Sequence, residues 1–152
     1  MNGSNEAPMT ILKRLVAAMN AHDLEAMVSC FADDYVNETP IHPLRGFRGN
    51  EQVRKNYSQI FANVPDLHAC VPRSAVDGDT LWTEWDISGT RLDATAFLVR
   101  GVVILGIKGN AIASARFYLD SVEETSGDVN THVRQVVATT PPGADPAAGM
   151  TS

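Results

Sequence analysis

The 152-residue chain contains two cysteines, Cys30 and Cys70, and has no long uninterrupted apolar run. Their helix-like and strand-like surroundings favour buried free thiols over a disulfide. No run approaches the roughly eighteen apolar residues of a membrane-spanning helix. Lys13 and Arg14 interrupt the first apolar segment, so the start of the chain does not have the pattern of a signal peptide. We therefore expect a cytoplasmic protein that does not have a membrane partner.

Positive charge is scarce as well. The chain has 12 Lys and Arg residues against 18 Asp and Glu residues, for a formal net charge of -6, and the basic residues form no cluster. Nucleic acids and anionic membranes are bound through positive surfaces, so this composition argues against both partners. His42 and His68 are far apart and belong to no metal-spaced cluster, so we predict no metal site.

What the chain does have is enough apolar residues for one well-packed domain. The hydrophobic fraction is 44%, which at this length predicts a single globular domain with a substantial core. The segment 1–9 is polar and predicted to be flexible, and 10–124 forms the domain. The tail 125–152 is predicted to be largely disordered, with one brief ordered piece around residues 132–137.

Three helices are predicted in the first half of the domain. Thr10 is a candidate cap for the first, and apolar residues then recur at helical spacing. Asp23 is placed to cap a second, shorter helix. Asn50 follows a loop rich in proline and glycine and is the predicted cap of the third helix, which ends before Pro65. Between the second and third helices, a short predicted strand has Tyr35 and Asn37 on one side, together with Thr39.

Four strands are predicted to follow, beginning at residue 67. Pro72 in the first of them indicates a sheet edge or a bulge. The stretch 81–120 is rich in β-branched and aromatic residues, and Lys108-Gly109-Asn110 predicts a tight hairpin between the last two strands. Alternation makes one face almost wholly apolar and gives the other a series of charges. Helices first and an antiparallel meander after them predict an α+β domain in which the helices cover one face of a bent sheet, a cone-shaped barrel with a hollow.

Several motifs in this order resemble the nuclear transport factor 2-like superfamily, and in particular its SnoaL-like polyketide cyclase branch. They are FADDY, GFRGNEQVRKNY, DGDTLWTEW and the final RFYLD, and the resemblance covers about residues 10–122. It implies a cystatin-like cone-shaped barrel with three N-terminal helices. The superfamily includes cyclases, ketosteroid isomerases, epoxide hydrolases, dehydratases and proteins without catalytic activity, so the resemblance alone does not imply one reaction.

Carrying the superfamily's catalytic residues over gives a mixed result. Tyr35 and Asn37 match the pair that helps to hold the attacking water in the limonene epoxide hydrolases. The Arg-x-Asp pair of those enzymes falls on Trp85 and Ile87, so their hydrolytic triad is absent. The proton-shuttling acid of ketosteroid isomerases falls on Thr39, whose hydroxyl is a poor base. The cyclases use an acid late in the last strand, for which Asp120 is the acidic candidate.

We therefore hypothesise a protein with an apolar pocket, acting without a cofactor. If it is an enzyme, it transfers protons on a lipophilic carbonyl compound, with cyclisation, isomerisation or dehydration as the outcome. An acid in apolar surroundings has a raised pKa suited to this role. The candidate catalytic residues are Asp120 and Asp86 as bases with Tyr35 and Asn37 as hydrogen-bond donors, and the candidate substrate contacts are Trp85, Phe117, Val103, Thr39 and His42.

Each assignment has an alternative. Asp120 is also suited to end a strand, and Asp86 and Arg100 alternate as charge pairs do on the exterior of a sheet. A non-catalytic ligand-binding or assembly module is the first alternative function, and an epoxide hydrolase with a non-standard site is the second. The apolar character of both faces around residues 102–105 indicates a covered outer face, most simply by a second copy in a homodimer.

Overall fold

A computed structural model describes residues 3–124 and 127–139 of the chain. One compact unit ends at Val122, and a second begins at Glu123. The helices are α1 (Gly3–Ala21), α2 (Leu24–Val28), α3 (Asn50–Asn63) and α4 (Val129–Val137), with a short 3-10 turn at Pro43–Arg45. The strands are β1 (Phe31–Glu38), β2 (Phe47–Arg48), β3 (His68–Asp77), β4 (Thr80–Thr90), β5 (Ala96–Lys108) and β6 (Ala111–Ser121).

The six strands form one curved, mostly antiparallel sheet in the order β2-β1-β6-β5-β4-β3. Only the β1–β6 pair is parallel among the strand pairs described. The α+β architecture predicted from the sequence is confirmed, including the helices that precede the long antiparallel strands. β3 lies at the edge of the sheet, and its register shifts between Cys70 and Arg73, around Pro72. Proline has no backbone donor for a strand partner, so it is tolerated at this edge.

Some helix boundaries differ from the predicted ones. α1 begins at Gly3 rather than near Thr10, and Pro8 lies inside it. Pro8 is the sixth residue of α1, beyond the first four backbone N–H groups that have no partner within the helix, so its missing N–H removes one helical hydrogen bond. α2 starts after Asp23, whose carboxylate accepts a hydrogen bond from the Ala26 backbone at 3.1 Å. It ends at Val28, and β1 begins at Phe31.

α3 begins at Asn50, the residue predicted to cap it, and therefore one position earlier than predicted. The capping position is Gly49, which has a φ of 88°, a left-handed conformation that glycine adopts readily. The Asn50 side chain instead donates to the Phe31 carbonyl oxygen at 3.3 Å. This contact ties the start of α3 to the start of β1, so the helix is fixed against the strand that carries Tyr35 and Asn37.

The strand alternation separates the two faces of the sheet. Thr83 of β4 pairs with Val103 of β5, which pairs with Phe117 of β6, all on the helix-covered face. The buried core on this side includes Leu81, Ile112 and Ala115, each 0% exposed. Cys30 is buried but Cys70 is exposed, and both are free thiols. The expectation that both cysteines are buried is therefore wrong for Cys70, because its neighbour Ala69 takes the inward position on β3.

The segment after the domain contains α4, where a brief ordered piece was predicted. The Asp128 carboxylate caps it by accepting a hydrogen bond from the Thr131 backbone at 2.8 Å. The rest of the predicted disordered tail, residues 125–126 and 140–152, lies outside the described residues. None of the helices in the described part of the chain combines the length and the apolar character that crossing a bilayer requires.

Candidate functional site

A cavity of about 280 Å³ lies between the helices and the inner face of the sheet. Apolar side chains from α1, α2, α3 and the long strands form most of its wall, and Trp85, Val103 and Phe117 are among them. The polar side chains in the lining are Tyr35, Asn37, Thr39, Arg45, Asn56 and Tyr57. The structure thus brings together six of the residues singled out from the sequence, and it adds Arg45, Asn56 and Tyr57 to them.

Tyr35 and Asn37 form a buried pair in the wall. The Tyr35 hydroxyl donates to Asn37 Oδ1 at 2.7 Å. Burial, followed by the nearby Tyr57, raises the pKa of Tyr35 far above its ordinary value. The Asn37 amide nitrogen has no hydrogen-bond acceptor among the described residues. This pair is therefore a neutral group whose amide NH₂ is left for a guest in the cavity.

Tyr57 adds a second phenol to this polar region. It lies on α3 and is partly buried, and burial raises its pKa to about 12. Its hydroxyl forms no hydrogen bond with a described residue, so the neutral O–H is available to a guest. From the sequence, Tyr57 belongs to the apolar stripe of α3, and the stripe's orientation towards the sheet is the signal that places it here.

Trp85 contributes an apolar wall. Its ring N–H donates to Thr83 Oγ1 at 2.7 Å. The Thr83 hydroxyl in turn donates to the Val103 carbonyl oxygen at 2.6 Å. Because these bonds satisfy the polar atoms within the protein, the tryptophan offers only ring surface to the cavity.

Asp86 does not reach the cavity. The β4 alternation that turns Trp85 inward turns Asp86 outward, and its carboxylate lies 3.5 Å from Arg100 Nε on β5. No carboxylate of the described residues lines the cavity. The role of an internal base is therefore not supported for Asp86 by its position, because its side chain is on the opposite face of the sheet.

Asp120 also lies outside the cavity, in a pair with His42. Its side chain is 63% exposed, and Oδ2 lies 2.9 Å from His42 Nε2. The hydrogen bond from His42, followed by one from the Ser121 backbone, lowers the pKa of Asp120. This is the opposite of the raised pKa expected for a buried acid, because Asp120 is in water and has partners that favour its charged form.

Arg45 connects this exposed pair to the cavity. It lies on the 3-10 turn that follows His42 and lines the cavity, and its charge contributes to the lowered pKa of Asp120. His42 itself is not in the lining. The mouth of the cavity therefore has a guanidinium in its wall and the His42–Asp120 pair nearby.

A helix-covered, strongly curved sheet around an internal cavity defines the class to which this chain belongs, the nuclear transport factor 2-like α+β proteins. Residues 12–115 match the family model described as a SnoaL-like domain, and the chain belongs to that family. The resemblance found in the sequence is thereby confirmed. No curated protein matches the chain.

Several solved structures share this fold. A putative isomerase from Bacillus subtilis has a TM-score of 0.68 at 15% identity, covering 77% of this chain and 88% of that chain. An LEH-like epoxide hydrolase from Mycobacterium tuberculosis has a TM-score of 0.65 at 17% identity, with coverages of 78% of this chain and 85% of that chain. RV0760c from M. tuberculosis, in complex with estradiol-17beta-hemisuccinate, has a TM-score of 0.64 at 20% identity, with coverages of 74% and 92%. At these identities the likeness shows the fold.

Proposed function

We propose that the protein binds a small, mostly apolar molecule in the cavity beneath its helices. The observation that carries this proposal is the cavity itself, about 280 Å³ with a mainly apolar wall and a few polar side chains. Ligand sites in proteins have this character, in which apolar walls provide affinity and a few polar groups fix orientation. The complex of RV0760c with estradiol-17beta-hemisuccinate supports a lipophilic ligand.

The polar lining favours binding over proton abstraction inside the cavity. Tyr35, Asn37 and Tyr57 are neutral hydrogen-bonding groups, and the lining contains no carboxylate or imidazole among the described residues. Such groups orient or polarise a carbonyl or epoxide oxygen but do not accept a proton from carbon near neutral pH. Trp85 and Ile87, which line the cavity, occupy the positions of the epoxide hydrolase Arg-x-Asp pair. The residues of the cavity wall therefore do not support an epoxide hydrolase with a non-standard site.

Ligand-induced thermal stabilisation tests this proposal. A panel of lipophilic ketones, epoxides and steroids is screened against the wild type, since a ligand bound only by the folded state raises the melting temperature. Leu119→Trp fills the cavity, and Tyr118→Trp places the same ring on the neighbouring, outward position as a control. We expect hits to stabilise the wild type and Tyr118→Trp by several degrees and to lose this effect in Leu119→Trp. Equal stabilisation of both variants would place the ligand elsewhere.

An acid/base enzyme is the second candidate, favoured by the pair at the mouth. Asp120 holds the His42 ring by a hydrogen bond of 2.9 Å, an arrangement that orients imidazole as a proton acceptor. A carbonyl compound in the cavity with its reacting carbon at the mouth would meet this base, with cyclisation, isomerisation or dehydration as the outcome. Turnover of ligands found in the screen tests it. Asp120→Asn removes the carboxylate that orients the His42 ring and is expected to reduce turnover about tenfold or more. Asp86→Asn should leave turnover unchanged, because Asp86 lies on the opposite face of the sheet.

We also propose a homodimer formed through the outer face of the sheet. Trp82, Val102, Ile104 and Tyr118 form an apolar stripe there, with the two aromatic side chains 46% and 37% exposed. Charge pairs such as Asp86–Arg100 border the stripe, a pattern that suits a second copy of the same face. Sedimentation analysis of Ile104→Glu is expected to give a monomer. Leu44→Glu, at a side chain that is 99% exposed on the 3-10 turn, is the control that keeps the dimer.

A further inference from the structure

The two amide side chains in the cavity wall, Asn37 and Asn56, both have NH₂ groups without an acceptor among the described residues. Asn37 Oδ1 accepts the Tyr35 hydroxyl at 2.7 Å. Asn56 Oδ1 accepts Gln52 Nε2 at 2.9 Å. With both oxygens engaged, each amide presents its NH₂ group, for which the described residues provide no acceptor. A guest that satisfies these groups must carry hydrogen-bond acceptors.

Arg45 adds a positive charge to this set of donors. Its guanidinium forms no ion pair or hydrogen bond with a residue of 3–124 or 127–139. The charge of Arg45 contributes to the lowered pKa of Asp120, after the hydrogen bonds that this carboxylate accepts from His42 and from the Ser121 backbone. Arg45 is exposed to solvent where it lines the cavity, so its guanidinium is an uncommitted planar donor at the edge of a cavity whose described lining has no carboxylate.

We propose that the ligand is an amphiphilic carboxylate whose apolar body occupies the cavity and whose carboxylate binds Arg45 at the mouth. This inference rests on the proposed ligand-binding function and names its substrate class. Burial of the apolar body supplies affinity, and the guanidinium selects for the head group because its fork matches the geometry of a carboxylate. The chain has a net charge of -6, so it repels anions in general and needs such a local group to accept one.

Two matched pairs of probes test the head group separately from the body. They are octanoate with 1-octanol, and cyclohexanebutyrate with 4-cyclohexyl-1-butanol. Dissociation constants are measured by calorimetry at pH 7.5 for the full wild-type chain, Arg45→Met, Arg45→Lys and Arg48→Met. Arg48 is an exposed arginine on β2 outside the cavity lining, so its variant controls for a general loss of positive charge.

We expect the wild type to bind each carboxylate about five- to tenfold more tightly than its alcohol, the size of a partly exposed charge-assisted bond. Arg45→Met should remove this preference while changing alcohol affinity less than twofold, Arg45→Lys should keep part of it, and Arg48→Met should keep all of it. The carboxylate preference should also fall with added salt.

Three outcomes overturn the inference, and they separate it from the proposed function. If the alcohols bound to the wild type as tightly as the carboxylates, the cavity would bind apolar molecules without selecting for a charged head group at its mouth. A carboxylate preference that survives Arg45→Met, or that Arg48→Met removes equally, would exclude Arg45 as its source. Failure of all four probes to bind would overturn the ligand-binding proposal and this inference together.

Discussion

The two faces of the sheet use the same residue types in opposite ways. Trp85 on the inner face is 4% exposed and Trp82, three positions earlier on the same strand, is 46% exposed. Tyr35 is buried in the cavity wall, where its hydroxyl donates a hydrogen bond to Asn37. On the outer face, the hydroxyl of the exposed Tyr118 accepts a hydrogen bond from Arg116. Strand parity, more than residue type, therefore decides which side chain faces the cavity.

Charge is divided in the same way. Asp86 with Arg100, Glu84 with Arg73 and Glu38 with Arg116 form exposed pairs at 3.5, 3.7 and 3.1 Å. The inner face has neutral polar groups instead, apart from Arg45 at the mouth. An isolated charge away from water is costly, so charged side chains collect on the wet face and the cavity stays neutral.

Replacing each tryptophan by alanine gives the largest expected difference between the faces. Trp85→Ala removes a buried ring and the partner of Thr83, so unfolding free energy should fall by about 3–5 kcal/mol. Trp82→Ala removes a half-exposed ring and should cost less than about 1 kcal/mol. Denaturant unfolding, at dilutions where the chain is monomeric, measures both. Similar losses of unfolding free energy for the two variants would contradict the assignment of Trp85 to the inner face and Trp82 to the outer face.

Alkaline pH should affect the tyrosines of the inner face more than those of the outer face. Because the folded protein holds the Tyr57 proton with a pKa of about 12, against an ordinary value of 10.0, stability is full below pH 10. The Tyr57 contribution should then fall by roughly 2 kcal/mol as the pH rises from 10 to 12, and the raised pKa of Tyr35 adds a further loss. Tyr57→Phe should reduce this loss, and Tyr118→Phe on the outer face should leave it in place. Denaturant midpoints at pH 9, 10 and 11 measure the slope, and an equal loss in Tyr57→Phe would contradict the prediction.

The smallest effect is expected for the charges of the outer face. Asp86 and Arg100 are partly exposed, and such pairs couple by about 0.2–1 kcal/mol. A double-mutant cycle with Asp86→Asn and Arg100→Gln measures this coupling, which should decrease with added salt. Ligand binding should be unchanged in both variants. A loss of binding in Asp86→Asn would mean that the outer face takes part in the site.

Most of the fold was predictable because its signals are local. Period-two alternation separates Trp85 from Trp82, and the Lys108-Gly109-Asn110 turn joins β5 to β6 as predicted. The helix starts were less predictable, since Pro8 fits inside α1 as well as before it. The exposure of Cys70 follows from its strand parity at the sheet edge, which its apolar surroundings in the sequence did not indicate.

The candidate site was only partly predictable because its mouth is a long-range contact. Strand parity was enough to place Tyr35 and Asn37 in the wall. His42 meets Asp120 across a separation of 78 residues, and no local pattern indicates which loop folds over the end of the last strand. The same holds for Arg45, whose importance depends on having no partner, a property that only the assembled structure shows.

The parallel pairing of β1 with β6 has a consequence for the order in which the protein folds. β1 carries Tyr35 and Asn37, yet its neighbour in the sheet, residues 111–121, is the last strand of the domain. Contacts that distant in sequence are slow to form, because a long loop must close first. During synthesis, the cavity is therefore completed only after nearly the whole domain has left the ribosome. Shortened chains that end before residue 111 lack β6, so we expect that ligands do not stabilise them.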